Sequence, residues 1–449
     1  MNLEQLKSKW IIYEKEKIED KKKRRYLHFD SKVFHVDESI LNDVFSPDFV
    51  DRRFFYPFIK DYKIVRRYKV KDDKKGIDVK PRPLCYASHK DAFIFSWYSF
   101  ILNSLYEEKI KKLGISDNVI AYRNLGLNNV HFAKEVFKYI KNEKNCTAVC
   151  FDIKGFFDNL SHKRIKSAWK NLLLEAGLLD NNNLPRDHYS VFKAVTNYSF
   201  VDKKEIFSHF NINKKNIKSF SKICNLDNYK KLVRASKLIS QNKSGVGTPQ
   251  GIAMSSVLSN AYMLDFDVNV NNYVNSLGGL YRRYCDDIIV VCDTGHYVKV
   301  KEFIKSEIKN IELIIQDEKT EIATFFSKSD GTIMCLDENG HQSTLKYLGA
   351  ETNGVMEKLR DKTLSKNDRK IFWQIQKEMR RAKKSKNNFS KRKIYRRFLH
   401  NEKQSFKSYG KKSAEILESN ILRKQFSDIN IVRIIRKKIK KINQIFFNK

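Results

Sequence analysis

Polar and apolar positions along the chain fall into stretches with distinct periods. "DAFIFSWYSFILNSLYEEKI" is apolar on most sides and long enough for a buried helix. In "HKRIKSAWKNLLLEAGLL" the residues Ile165, Trp169, Leu172, Leu173 and Ala176 recur at helical spacing and predict an amphipathic helix. "HYVKVKEFIKSEIKN" predicts another. Elsewhere the texture is that of strands. "YKIVRRYKV" and "VKPRPLCYA" flank the polar turn "DDKKG", and Thr147 to Ile153 is a short β run that breaks at Gly155. Strands are also expected in "IELIIQDEKTEIATFF" and "TLKYLGAE". "GVGTPQGIAMSSVLSN" is a Gly/Pro turn feeding a helix of small and apolar residues. "GLYRRYCDDIIVVCD" reads as a hairpin whose β-branched arms meet at Cys285, Asp286 and Asp287. Residues 180–243 are Asn/Lys-rich and weakly patterned, an insertion with no assigned place. The first 45 residues mix an amphipathic start with the charged run "EKEKIEDKKKRR", expected as a surface helix. From about residue 356 the pattern is helical and basic, as in "RRAKKSKNNFSKRKIYRRF".

Composition changes this picture in one respect. Hydrophobic residues at 41% and aromatics at 12% of the 449 positions argue for a folded chain. Lys and Arg together number 88 against 52 Asp and Glu, a formal charge of +36, which points to a polyanionic partner. The 7 cysteines are scattered without a CxxC pair, so neither a zinc module nor a disulfide framework is expected. The start is too charged for a signal peptide and no apolar run nears membrane-spanning length, so a reducing, cytoplasmic setting without membrane association is expected.

Against that basic background the adjacent acids of the hairpin stand out. An Asp-Asp pair at a turn is by itself ordinary turn chemistry. Asp152, however, ends an apolar strand, and pairing that strand with the hairpin in one antiparallel sheet would bring three carboxylates together. Hard oxygen ligands of this kind suit Mg²⁺.

The order of the surrounding motifs gives the acids a context. "FDIKGFFDNLSH", "GTPQGIAMSSVLSN", "YCDD", "DEKTEI" and "LKYLG" resemble the successive palm motifs of reverse transcriptases, over about residues 80 to 350. A lone YxDD is weak, whereas the ordered set is specific. The resemblance implies an α+β right-hand polymerase fold: an N-terminal helical extension (1–45), fingers with part of the palm (46–145), a palm carrying the insertion (146–350), and a basic helical thumb and RNA-binding region (351–449). The palm would be an antiparallel sheet with helices.

The resemblance also implies roles. Asp152, Asp286 and Asp287, with the backbone carbonyl of Ile153, resemble the ligands of two Mg²⁺ ions, or of Mn²⁺ in their place. Phe157 matches the aromatic gate against ribonucleotides, while Gln250 and Gly251 match the turn lining the nucleotide pocket. Arg82 and the more loosely registered Lys75 match finger cations on the incoming triphosphate. Lys319 matches the lysine near the leaving pyrophosphate, and Lys346 to Gly349 the grip on the primer end. From the residues alone Phe157 also reads as core packing, Arg82 as a salt-bridge partner, and Lys75 and Lys319 as parts of a solvated face. Ser256 stands where Pro is common in the helix motif, and Cys285 where Ala or Met is frequent.

The stretch "RPLCYASHKDAFIFSWYSFILNSLYEEKIKKLGISDNVIAYR" looks like the bacterial unknown-group and abortive-infection reverse transcriptases of anti-phage defence. That likeness implies RNA-directed DNA synthesis from dNTPs on a dedicated noncoding RNA, with a DNA product and either a second copy or a companion defence protein as partner. Alternatives are untemplated or protein-primed synthesis by the same fold, a retron or group II intron type of enzyme, and an RNA-binding subunit with a retired site.

Overall fold

The computed structural model describes residues 3–19, 26–33, 35–71, 74–179, 183–235, 238–385, 389–399 and 405–447. The chain begins with α1 (Leu3–Glu19), α2 (Glu38–Phe45) and α3 (Pro47–Asp51). Asp37 caps α2 by accepting the Ile40 N–H, and Ser46 caps α3 by accepting that of Phe49. The charged run expected as a helix is carried by α1 as far as Glu19, and its remainder, 20–25, lies outside the described residues. Next come a long hairpin, β1 (Phe58–Lys71) and β2 (Lys74–Tyr86), then α4 (His89–Lys112) and α5 (Asn129–Glu143). The middle of the chain forms β3 (Cys146–Asp152), α6 (His162–Glu175), α7 (Arg186–Thr196), β4 (Ser199–Asp202), α8 (Lys203–His209), α9 (Leu226–Asn228) and β5 (Ser240–Gln241). After α10 (Ala253–Tyr262) and α11 (Leu264–Ser276) come β6 (Leu280–Tyr284), β7 (Asp287–Cys292) and α12 (Tyr297–Asn310). Short strands follow: β8 (Glu321–Ser327), β9 (Ile333–Leu336), β10 (Leu345–Tyr347), β11 (Ala350–Thr352) and β12 (Glu357–Leu359). The rest is helical: α13 (Asp361–Lys384), α14 (Lys391–Leu399), α15 (Phe406–Ile416), α16 (Asn420–Gln425) and α17 (Asp428–Phe447). The mixed α+β class expected from the sequence is the class observed. No helix among the described residues is long and apolar enough to cross a membrane.

These elements pack as two compact units that interleave along the chain: Met1–Tyr122 with Ile153–Val270 and Lys305–Ile315, and Arg123–Asp152 with Asn271–Ile304 and Gln316–Lys449. In the first unit α4 is the central helix. Phe93, Leu102, Tyr106 and Ile110 have lost nearly all solvent contact, and the helix packs against α6 and α10. Residues 180–243, which have no place in the sequence reading, build one edge of a four-stranded sheet ordered β2-β1-β4-β5, in which β4 runs parallel to β1. Val201, Ile206, Ile223 and Val233 from that stretch form a small core with Leu27, Phe29 and Ile59.

In the second unit β3 lies at the centre of a five-stranded antiparallel sheet ordered β6-β7-β3-β8-β9. Central position explains its unbroken apolar run, since a strand with neighbours on both sides and covered faces has no polar face to show. Val130, Ala133, Val136, Phe137 and Ile140 of α5 cover one face, meeting Ala148, Ile289, Val291, Ala323 and Phe325. The strand expected from Ile311 onward does not form as such. Glu312 takes φ 61 and closes α12, with the Leu313 N–H returning to the Ile308 carbonyl. Only Ile315 makes a bridge, to Ile153, and regular pairing resumes at Glu321. In the tail, Ile371, Ile375 and Met379 of α13 pack with Ile431, Ile435, Ile439 and Ile442 of α17. Phe372, Phe389, Tyr395 and Phe398 lean on that core, whereas Trp373 stays 63% exposed.

Candidate active site

The acids are brought together by strand register. In the β3–β7 ladder Asp152 stands directly opposite Asp287, and in the β6–β7 hairpin Tyr284 pairs with Asp287, leaving Cys285 and Asp286 as the turn. Side chains directly opposite in an antiparallel pair have Cβ atoms roughly 5 Å apart, and like charges placed there destabilise the sheet. At that spacing the repulsion is on the order of 1–3 kcal/mol once screening by water is allowed for. A turn that tight costs further strain, because Cys285, a residue with a side chain, takes φ 61. Beneath it the fully buried Arg283 donates from Nη1 to the Cys285 carbonyl at 3.2 Å.

Asp287 shows the electrostatic result. Its side chain reaches water at the mouth of a cavity of about 320 Å³, yet protein crowds it elsewhere. That desolvation first, then the Asp286 and Asp152 carboxylates, pushes its pKa up to about 6, against the opposing pull of Arg360 and Lys319. Lys319 ends a short turn whose start is fixed by the Gln316 N–H on the Asp152 carbonyl (2.8 Å), and its Nζ sits 2.5 Å from Asp152 Oδ1.

No group of three or more His, Cys, Asp or Glu side chains among the described residues is gathered closely enough to hold a metal ion. Asp152 and Asp287 are cross-strand neighbours, but one oxygen of Asp152 is engaged by the Lys319 ammonium. The donor chemistry nevertheless fits a hard divalent cation: the acids are carboxylates next to open solvent, repelling one another and in want of positive charge. The nearby Cys150 thiol, pushed up by burial and then by Glu321 and Asp287, stays protonated and does not compete as a soft ligand.

A testable consequence follows from the sign of the Asp287 shift. Because its pKa is higher in the folded chain than the ordinary 3.8, the folded state binds the extra proton. Stability from this group therefore falls as pH rises from about 4 to 6, and the loss is complete above that window. A cation held by the ionised carboxylates reverses it by mass action, worth about 2.7 kcal/mol at a hundred times Kd. Thermal melts with and without 10 mM Mg²⁺ should show stabilisation at pH 7.5 that shrinks by pH 5 and is largely absent in Asp287→Asn. An equal shift at both pH values would contradict the assignment.

The first unit places the remaining candidates. Gly155, left-handed at φ 57, starts the turn Phe156–Asp158, leaving Phe157 half-buried with the Phe156 ring at 5.4 Å and the Tyr122 ring at 6.3 Å. The Phe157 carbonyl accepts the Thr248 N–H (2.9 Å), tying this turn to the "GTPQG" loop. Gln250 donates from Nε2 to Asp158 Oδ1 at 3.3 Å, and its carbonyl accepts the Cys85 N–H at 2.7 Å. The next residue has to be glycine: Gly251 takes φ 109, and a Cβ there would lie 2.7 Å from the Cys85 carbonyl oxygen. Arg82 lies three residues before Cys85 on the edge strand β2, opposite Lys63, exposed and flanked by Pro81 and Pro83. Lys75 falls on β2 opposite Val70, and its side chain lies outside the described residues. Ile153 is buried, and its bridge uses the Lys154 N–H on the Ile314 carbonyl, leaving its own carbonyl out of that bond.

Asp158, Arg283 and Arg360 have roles that the motifs do not announce. Asp158 reads as a turn residue, but it orients Gln250. Arg283 had a signal: in "LYRRYC" it alternates onto the same face as Tyr281, which is buried. Arg360, at the cavity beside Asp287, follows the motifs by too many residues for spacing to find it.

The mixed α+β fold, with these carboxylates at the end of an antiparallel sheet, is consistent with a right-hand polymerase. Residues 176–352, less than half of the chain, match the family model described as "Reverse transcriptase (RNA-dependent DNA polymerase)". The chain thus carries a reverse transcriptase domain, whose family indicates RNA-directed DNA polymerase activity. Asp286, Asp287, Gln250, Gly251 and Lys319 fall inside the matched stretch, while Arg82, Asp152 and Phe157 precede it. Among solved structures the chain is similar to apo telomerase from Candida tropicalis truncated from its C-terminal domain (13% identity, 67% of this chain, 54% of that one, TM-score 0.40). It is also similar to telomerase from Candida albicans in complex with a TWJ fragment of telomeric RNA (13% identity, 70% and 47%, TM-score 0.41). The chain thus spans about half the length of these structures. No curated protein matches it by sequence.

Proposed function

We propose that the protein copies an RNA template into DNA and serves a bacterial anti-phage defence system, with a dedicated noncoding RNA as template. The observation that carries the polymerase half is the register of Asp152 opposite Asp287 with Asp286 in the adjoining turn. A sheet tolerates such repulsion where charge on a ligand offsets it. In this reading Asp152, Asp286, Asp287 and the Ile153 carbonyl would hold two divalent ions, Mg²⁺ or Mn²⁺, whose charge would lower the pKa of a 3′-hydroxyl and offset that of the departing pyrophosphate. Lys319 moves from Asp152 to the pyrophosphate once the acids have other counter-charges. Arg82 holds the incoming triphosphate, Phe157 excludes a 2′-hydroxyl, and the Gln250–Gly251 turn lines the base side of the pocket. The defence half is supported by the resemblance of residues 82–123 to abortive-infection enzymes. The basic tail, with Trp373 exposed, suits an RNA backbone and an unpaired base.

The test uses the protein purified with its own nucleic acid. With Mg²⁺ and dNTPs it should make DNA whose sequence is complementary to the co-purifying RNA, and prior ribonuclease treatment should abolish the product. DNA of the same amount after ribonuclease would overturn templated synthesis in favour of the untemplated alternative.

A further inference from the structure

We propose that Arg360 is a positioning residue that holds a phosphodiester of the primer strand behind its 3′ end. The inference rests on the polymerase reading and assigns a contact that reading does not include.

Backbone geometry fixes where Arg360 stands. The β10–β11 hairpin turns on Leu348 (φ 44) and Gly349 (φ 91), two left-handed residues in succession. Asn129 Nδ2 donates to the Leu348 carbonyl at 2.5 Å, and the Arg360 N–H donates to the Gly349 carbonyl at 3.0 Å. The start of α13 is thereby pinned to the same turn that resembles a primer grip. From that anchor the side chain lines the cavity of about 320 Å³, together with Asn129, Tyr284, Asp287, Lys346 and Tyr347.

The guanidinium is under-used where it lies. Its Nε is closed off from water and has no hydrogen-bond partner among the described residues. A buried donor of a charged group left unmade is costly, and few native structures keep one without a reason. Asp287 feels the positive charge, and Arg360 counters the rise in its pKa, but the two form no ion pair among the described residues. A planar cation with five donors and an unpartnered Nε, at a cavity beside the acids, suits an oxyanion such as a carboxylate or a phosphate.

Charge matching selects the ligand. Arg360 and Lys346 supply two positive charges, offset in part by Asp287. One phosphodiester carries a single negative charge, which Arg360 and Lys346 can offset, whereas the polymerase reading already gives the triphosphate Arg82, Lys319 and the ions on the acids. The anion is therefore a link of the nucleic-acid backbone ending beside Asp287, which is the primer.

The experiment pairs a protein change with a primer change. DNA primers annealed to RNA are synthesised with a neutral methylphosphonate at one linkage at a time near the 3′ end. Binding is read by fluorescence anisotropy, and extension by KM and kcat. At one linkage the neutral substitution should weaken wild-type binding about tenfold, and Arg360→Gln should lose nothing more there. Arg360→Gln should weaken the unmodified primer to a similar degree, with the dNTP KM within about twofold, and Arg360→Lys should recover part of the loss. Equal penalties at every linkage in wild type and Arg360→Gln would overturn the assignment. So would a melting temperature lowered in Arg360→Lys with no linkage-specific effect, since the residue would then be structural. Failure of the wild type to extend any unmodified primer strikes the polymerase reading instead, and the binding cycle still decides Arg360.

Discussion

Asp286→Ala should abolish DNA synthesis, with a fall of about a thousandfold or more, while leaving the fold intact or slightly more stable. A thousandfold corresponds to about 4 kcal/mol of transition-state stabilisation, the range that a metal-held charge supplies. The two halves of the prediction come from the same register. Asp286 follows Cys285 in a turn whose backbone is already left-handed, and it adds a charge next to the opposed Asp152 and Asp287. Removing it lowers repulsion, and the turn keeps its Arg283 contact to the Cys285 carbonyl. Activity bought at the expense of stability is a common feature of catalytic sites. Primer extension assays together with thermal melts check both halves. Activity within tenfold of wild type would remove Asp286 from the chemistry, and a melting temperature lowered by many degrees would make the acid structural.

Phe157→Ala should raise the use of ribonucleotides relative to deoxyribonucleotides by about 10- to 100-fold, because a clash with one hydroxyl is worth roughly 1–3 kcal/mol. The ring is set by the turn that starts at left-handed Gly155, by the Thr248 N–H on its carbonyl, and by the neighbouring rings of Phe156 and Tyr122. It is neither free in solvent nor wholly enclosed, as a wall of a substrate pocket should be. Steady-state incorporation of matched rNTP and dNTP pairs checks this. A purely packing role would lower both rates alike together with stability, and the ratio would stay where it was.

Legibility in the sequence followed the range of the interactions. Hairpins and helices set by local pattern were readable: the arms around Cys285 and Asp286, the buried α4, and the Ile165, Trp169, Leu172 face of α6 all follow from spacing. Ala176 lies just past that face, since α6 ends at Glu175. The ends of helices were harder, because the left-handed Glu312 that stops α12 is a residue with no special turn preference. Long-range pairings carried no local signal. Nothing in the Asn/Lys-rich text of 180–243 announces that β4 runs parallel to β1, or that Ile206 and Val233 join the core of Leu27 and Ile59. At the site, residue types with a single chemical use, such as acids in an apolar run, were visible. Arg360 and Asp158 were not, since Arg and Asp are common on any surface and their roles come from what the fold sets beside them.

The central place of β3 has a consequence for how the chain is made. Its seven residues emerge from the ribosome well over a hundred residues before β7 and β8, the partners on either side. Throughout that interval an apolar segment with both edges unsatisfied waits on a growing chain, the condition under which strands pair with the wrong neighbour. Slow translation between residues 153 and 287, or a shortage of chaperones, should therefore lower the yield of soluble enzyme far more than changes made after Ser327 has been synthesised.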